Sequence, residues 1–281
     1  MKRVIVTIMS VMILSGSQSC TAAVPAEEKL NVAYGADPKQ VMDVYLPADR
    51  SVSNTKVMVL IHGGSWSGGD KKTFTAYVDS LKLRLPDYAF ININYRLANF
   101  VQNRFPTQAD DVKLALNYIT DRSEEYKISK RVVLLGASAG AHLALLQAYK
   151  YNDPVKPLAV ISFFGPVDMA ELYNNPVHPQ VPGLLQLFIG GTPVANPKLY
   201  QEASPIYFAS SGSCPTLIFQ GGKDPLVNPK QSSQLKAKLD SLKVPNDLIV
   251  YPSEGHGWKG SNLVDSFTKI EAFLAKYTAK I

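Results

Sequence analysis

The stretch Gly136-Ala-Ser-Ala-Gly140 constrains this chain more than any other, because of what stands on either side of it. Before it runs the apolar Arg131-Val-Val-Leu-Leu135, and after it the helix-like Ala141-His-Leu-Ala-Leu-Leu-Gln-Ala148. A buried strand that turns at once into a helix holds its turn residue in a strained backbone conformation above the sheet edge. Side chains two positions to either side of that residue would collide, and glycine stands at both places. The spacing predicts strand, sharp turn and helix, with Ser138 projecting as a candidate nucleophile.

The rest of the chain repeats the alternation. Lys56–Ile61, Tyr88–Tyr95, Leu158–Phe164, Thr216–Gln220 and Asp247–Tyr251 are short, apolar and rich in β-branched or aromatic residues, the pattern of strands buried on both faces. Helical patterns fall between and after them at about 71–85, 106–120, 229–243 and 261–279, with Ala109, Val112, Leu116 and Ile119 at helical spacing. Leu30–Tyr34 and Val41–Leu46 flank Gly35-Ala-Asp-Pro38 and predict an opening antiparallel hairpin. Strands alternating with helices predict an α/β fold, a mostly parallel, doubly wound sheet with helices on both faces and a ligand crevice at the strands' C-terminal ends. The Pro-rich segment 166–209 is expected to be a cap or a packed connection, with Leu184, Leu185, Leu187, Phe188 and Ile189 as its apolar face.

At the N-terminus, Lys2-Arg3, the apolar Val4 to Leu14 and the small, polar Ser15 to Ala23 predict an export signal over 1–23, too short to span a bilayer. Cys20 resembles the lipidated cysteine of bacterial lipoproteins, which would make a lipid anchor the only membrane tie; cleavage after Ala22 or Ala23 is the alternative. The expected location is exported: periplasmic, secreted or lipid-anchored. Residues 24–281, within a chain 46% hydrophobic and 19% charged, suffice for one α/β domain. Cys214 is the only cysteine left after signal removal, so no internal disulfide is expected. The net charge of +6 comes without a basic run or Arg-aromatic interleaving, and nucleic acid is not an expected partner. No two histidines share metal-ligand spacing, so neither a metal nor another cofactor is expected.

A serine hydroxyl needs a base within hydrogen-bond reach, and the base needs an acid to orient it. Among four histidines, His62 sits on a glycine loop before the serine, His142 lies on the helix after it, and His178 stands inside Pro176-Val-His-Pro179. His256, in Glu254-Gly-His-Gly-Trp258 between the last strand and the last helix, is the expected base. Asp224, directly after the penultimate strand and 32 residues before His256, is the expected acid, with Asp168 in Gly165-Pro-Val-Asp168 the alternative or a helix N-cap. The backbone N–H of Ala139 and those of Gly64 and Ser65, with Gly63 shaping the turn, are the expected oxyanion donors. Trp66 and Trp258 flank these loops as candidate pocket walls.

Eight stretches in order carry a resemblance: Asp43-Val-Tyr-Leu-Pro47, His62-Gly-Gly-Ser-Trp66, Asn94-Tyr-Arg-Leu97, Phe105-Pro106 with Asp110 or Asp111, Gly136-Ala-Ser-Ala-Gly140, Ala203-Ser-Pro205, Gly222-Lys-Asp-Pro-Leu-Val227 and Gly255-His-Gly257. They resemble the α/β-hydrolase carboxylesterases of the hormone-sensitive-lipase-like group, especially its bifunctional feruloyl and acetyl-xylan esterase-like branch. The resemblance implies Ser138, Asp224 and His256 as a catalytic triad, with Gly64, Ser65 and Ala139 as oxyanion donors. Its implied substrates are small acyl esters, including acetyl or feruloyl esters of plant polysaccharide. Ser65 departs from the third glycine of many relatives. Kynurenine formamidases look similar around His-Gly-Gly-x-Trp, and peptidases of the prolyl-oligopeptidase type share the catalytic-domain pattern, so amide cleavage and a non-catalytic binding role stand as alternatives.

Overall fold

In the computed structural model, residues 23–151 and 153–278 are described. The expected export signal, save Ala23, and Cys20 lie outside them. Eight strands form one sheet in the order β1-β2-β4-β3-β5-β6-β7-β8. They are β1 (Glu27–Ala33), β2 (Val41–Leu46), β3 (Lys56–Ile61), β4 (Tyr88–Ile93), β5 (Val132–Ala137), β6 (Ala159–Phe163), β7 (Thr216–Gly221) and β8 (Asn246–Tyr251). The hairpin β1–β2 is antiparallel and joins β4 antiparallel; every later pairing, from β4–β3 to β7–β8, is parallel. The α/β-hydrolase architecture expected from the sequence is the one observed.

The helices are α1 (Lys72–Arg84), α2 (Thr107–Asp121), α3 (Ser123–Tyr126), α4 (Ala139–Leu146), α5 (Met169–Asn174), α6 (Val181–Leu185), α7 (Pro197–Glu202), α8 (Lys230–Ser241) and α9 (Gly260–Thr278). Strand residues alternate between two cores because successive side chains point to opposite faces. Val57, Val59 and Ile61 of β3 join the core under α2 and α4, whereas Met58 and Leu60 join a second core under α1 and α9. Of the five expected helices between or after strands, each is present within two residues of its expected ends. The segment 166–209, without periodicity in sequence, holds short helical pieces, α5, α6 continued by a wider turn over Gln186–Gly190, α7, and a tight turn over Pro205–Tyr207. Cys214 is a buried free thiol, and among the described residues no helix is long and apolar enough to cross a membrane.

Parallel pairing brings the C-terminal ends of β3, β5, β6, β7 and β8 to one edge, and five chemistry-bearing loops leave the sheet there.

Candidate active site

The apolar strand β5 ends one residue before Ser138, whose backbone stands at φ 54° and ψ −121°, and α4 begins at the next residue. Left-handed φ at a residue with a side chain costs about 1–3 kcal/mol and persists only where the surroundings enforce it. The flanking glycines are that enforcement. A Cβ on Gly136 would lie 2.3 Å from the Gly140 backbone, and one on Gly140 would lie 2.0 Å from the Ile61 carbonyl oxygen. Strand and helix therefore pack backbone to backbone, and the serine is thrust out above them.

The structure brings Ser138, His256 and Asp224 together. His256 Nε2 lies 2.9 Å from Ser138 Oγ, and His256 Nδ1 lies 2.8 Å from Asp224 Oδ2. An ionised carboxylate only accepts, so the Nδ1–H donates to Asp224 and the Nε2 lone pair faces the serine hydroxyl. The Asp224 side chain has no solvent exposure, while His256 keeps 16%. Asp224 is held by more than the histidine: its Oδ1 accepts from the Leu226 and Val227 N–H groups, and its Oδ2 also accepts from Gln220 Nε2. Gln220 is fixed in turn by the Ser232 hydroxyl, 2.7 Å from its Oε1. The Phe164 ring leans on the His256 ring with centroids 4.4 Å apart.

Asp168 does not join this group. It is the N-cap of α5, accepting from the Glu171 N–H at 3.0 Å, and it takes a hydrogen bond from the Tyr207 hydroxyl. His142 also stays out of it. Its Nδ1 accepts from Trp66 Nε1 at 3.1 Å and its Nε2 sits 2.7 Å from the Ala203 carbonyl oxygen, so both nitrogens of the neutral ring are used. Burial lowers its pKa to about 4. His62, whose pKa is likewise lowered by burial, stacks on Tyr95 at 4.3 Å and bonds the Gly63 carbonyl oxygen, a support for the glycine loop. His178 is half-buried, with Nδ1 accepting from the Gln180 N–H.

That loop curls over the serine. Gly63 is so close that a Cβ there would meet the Ala137 carbonyl oxygen at 2.8 Å. Gly64, Ser65 and Trp66 all have positive φ, at 119°, 53° and 59°. The left-handed turn is thus kept at Ser65 although the residue is not glycine. Its carbonyls close the turn, with Gly68 N–H donating to the Gly64 oxygen. Among the described residues no acceptor pairs with the N–H of Gly64, Ser65 or Ala139. For Ala139 helix geometry supplies the reason, since first-turn N–H groups have no intrahelical partner.

Two cavities adjoin the group. One of about 40 Å³ lies between Ser65, Trp66 and Ser138 on one side and Leu172, Val181 and Leu185 on the other. The second, about 640 Å³, reaches His256, Phe164 and Trp258 and runs between α1 and α9. Of the expected apolar face of 166–209, Leu184 and Leu185 meet the small cavity, while Phe188 stacks on Trp66 at 4.2 Å behind it. Among the described residues no three His, Cys, Asp or Glu side chains gather as a metal-binding group.

Gln220, Ser232 and Phe164 went unread in the sequence. Gln220 left a signal, a lone amide ending an otherwise apolar strand four residues before Asp224; Phe164 left none, being one more aromatic in an apolar run.

Sheet order, elbow and loop placement together define an α/β-hydrolase. A solved structure described as a bifunctional GH43-CE of Bacteroides eggerthii superposes with a TM-score of 0.77 at 25% identity, over 89% of this chain and 38% of that one. A truncated carbohydrate esterase from gut microbiota superposes with a TM-score of 0.72 at 24% identity, over 88% of this chain and 96% of that one. Esterase LipC of Mycobacterium tuberculosis is 24% identical over 240 residues, 81% of this chain and 59% of LipC. The chain thus spans less than two thirds of that relative's length. The BD-FAE family profile matches residues 42–239, and the chain belongs to that family.

Proposed function

We propose that this chain is a serine carboxylesterase that cleaves small acyl esters through an acyl-enzyme. The observation that carries the reading is the relay from Ser138 Oγ to His256 Nε2 and from His256 Nδ1 to Asp224, set beside three N–H groups without an acceptor among the described residues. In that arrangement Ser138 Oγ attacks the ester carbonyl carbon while its proton passes to His256 Nε2. Charge develops on the carbonyl oxygen, where the N–H groups of Ala139, Ser65 and Gly64 receive it; one such donor is worth about 2.7–4 kcal/mol in the transition state. The ester C–O bond then breaks as His256 returns the proton to the departing alcohol oxygen. Water, deprotonated by His256, attacks the acyl-serine; the carboxylic acid leaves and Ser138 regains its proton.

The small cavity supports an acetyl-sized acyl group. At about 40 Å³ it is the smaller of the two cavities, and Leu172, Val181, Leu184 and Leu185 make it apolar. A solved structure described as a truncated carbohydrate esterase supports a competing reading, esters carried on carbohydrate. Hydrolysis of p-nitrophenyl acetate, butyrate and octanoate, with methyl ferulate, acetylated xylan and N-formylkynurenine alongside and Ser138→Ala as the blank, tests both. Serine-dependent turnover falling steeply from acetate to octanoate is expected. Cleavage of N-formylkynurenine with silence on every ester would overturn the esterase reading in favour of a formamidase.

A further inference from the structure

The two cavities stand on opposite sides of the serine, and the chemistry of the relay tells them apart. The carbonyl oxygen must lie toward Ser65 and Ala139, whereas the departing alcohol oxygen must lie within reach of His256 Nε2, which gives it its proton. The small cavity shares Ser65 and Trp66 with the glycine loop, so it is the acyl side. The large one has its mouth at His256, Phe164 and Gly257. Resting on the esterase reading, we propose that the crevice between α1 and α9 is the leaving-group site, and that it takes alcohols with an apolar aryl or alkyl body.

The crevice is built to receive such a body. Both helices start at the active-site edge of the sheet, so the wedge between them opens beside the serine. Its floor is Leu135 and Phe163 from β5 and β6, its walls are Phe74 and Leu81 on α1 and Phe267 on α9, and all are buried. Tyr77 and Phe267 pack edge to face with centroids 6.1 Å apart and close one side of it. At about 640 Å³ it lies within the ~300–1,000 Å³ of sites for drug-sized ligands. Among the described residues its interior offers few polar partners. Trp258 Nε1, the one indole donor on the wall, already donates to Ser266 Oγ at 2.9 Å. The polar groups on its lining are those of Thr73, Tyr77, Glu254, His256 and Lys259, a minority of a lining that is otherwise aromatic and aliphatic. A sugar pushed inward would leave most of its hydroxyls unpaired against leucine and phenylalanine. An aryl or alkyl body loses nothing there and gains the burial.

Binding separates this inference from the esterase reading. The Ser138→Ala protein, titrated calorimetrically with 2-phenylethanol and with xylobiose, is expected to bind the first saturably and not the second. Filling the crevice from its half-buried rim, with Leu263→Trp added to Ser138→Ala, should weaken the phenylethanol at least about tenfold. Thr73→Trp, from the facing and exposed rim, is the second variant should the first not fold. With Ser138 restored, either variant should lower kcat/KM for phenethyl acetate about tenfold while leaving methyl acetate within about twofold. No phenylethanol binding, binding indifferent to both tryptophans, xylobiose bound in its place, or equal loss on the two esters would overturn the assignment. If phenylethanol binds as expected but neither ester is turned over, the esterase reading fails and the crevice stands as an apolar ligand site.

Discussion

At the scale of single residues, the site rests on two carboxylates that look alike in sequence and do different work in the fold. Asp224, without exposure and with four donors, is placed to hold His256 in one tautomer. Asp224→Asn should therefore lower kcat by about 10⁴, as loss of the orienting acid does elsewhere, with KM little changed. Asp168→Asn should leave kcat within a few-fold, since that carboxylate caps α5; a drop matching that of Asp224→Asn in the same assay would move the acid. Ser138→Ala is expected to lower turnover by about 10⁴ or more while the melting temperature holds, because alanine places the same Cβ in the same turn. Surviving activity in that protein would mean a different nucleophile.

At the scale of elements, the junction of β5 and α4 decides whether the site exists. Gly140→Ala puts a Cβ 2.0 Å from the Ile61 carbonyl oxygen, a backbone contact that no rotamer relieves, and a loss above about 3 kcal/mol in the unfolding free energy from urea titration is expected. Gly183→Ala, in α6 with open space around it, should gain a few tenths up to about 1 kcal/mol in the same measurement. The contrast also shows what could be read in advance. Strands such as Lys56–Ile61 and Val132–Ala137 announce themselves because burial on both faces demands apolar runs, and the elbow does so because collision demands glycine. Their order in space is less legible: β2 lies beside β4, not β3, because sequence pattern carries no sheet position. The short helices of 166–209 have too few turns for a period to emerge. The crevice between α1 and α9 is invisible for a related reason. Phe74, Leu81 and Phe267 read as ordinary core positions, and only the spacing of two helices leaves a gap between them.

At the scale of the whole molecule, acid should undo the fold in a defined window. His142 titrates near 4 when folded and near about 6.5 when unfolded, so between those values the unfolded chain binds the extra proton and stability falls as pH falls. The loss is on the order of 2–3 kcal/mol between pH 7 and 4.5, with His62, also lowered by burial, adding in the same direction. Urea midpoints across that range should decline in the parent chain and decline less in His142→Gln, even though that variant starts lower for losing the Trp66 contact; equal slopes would remove His142 as the cause. The sheet's two cores have a different consequence. Trp66, Leu172 and Val181 at the small cavity belong to one core, and Phe74, Phe163 and Trp258 at the large one belong to the other. On the proposed reading, acyl choice and alcohol choice are inherited on opposite faces of a rigid partition. A descendant can then exchange one preference by drift on its own face and leave the other intact, so related chains should sort into combinations of the two traits rather than into a single graded series.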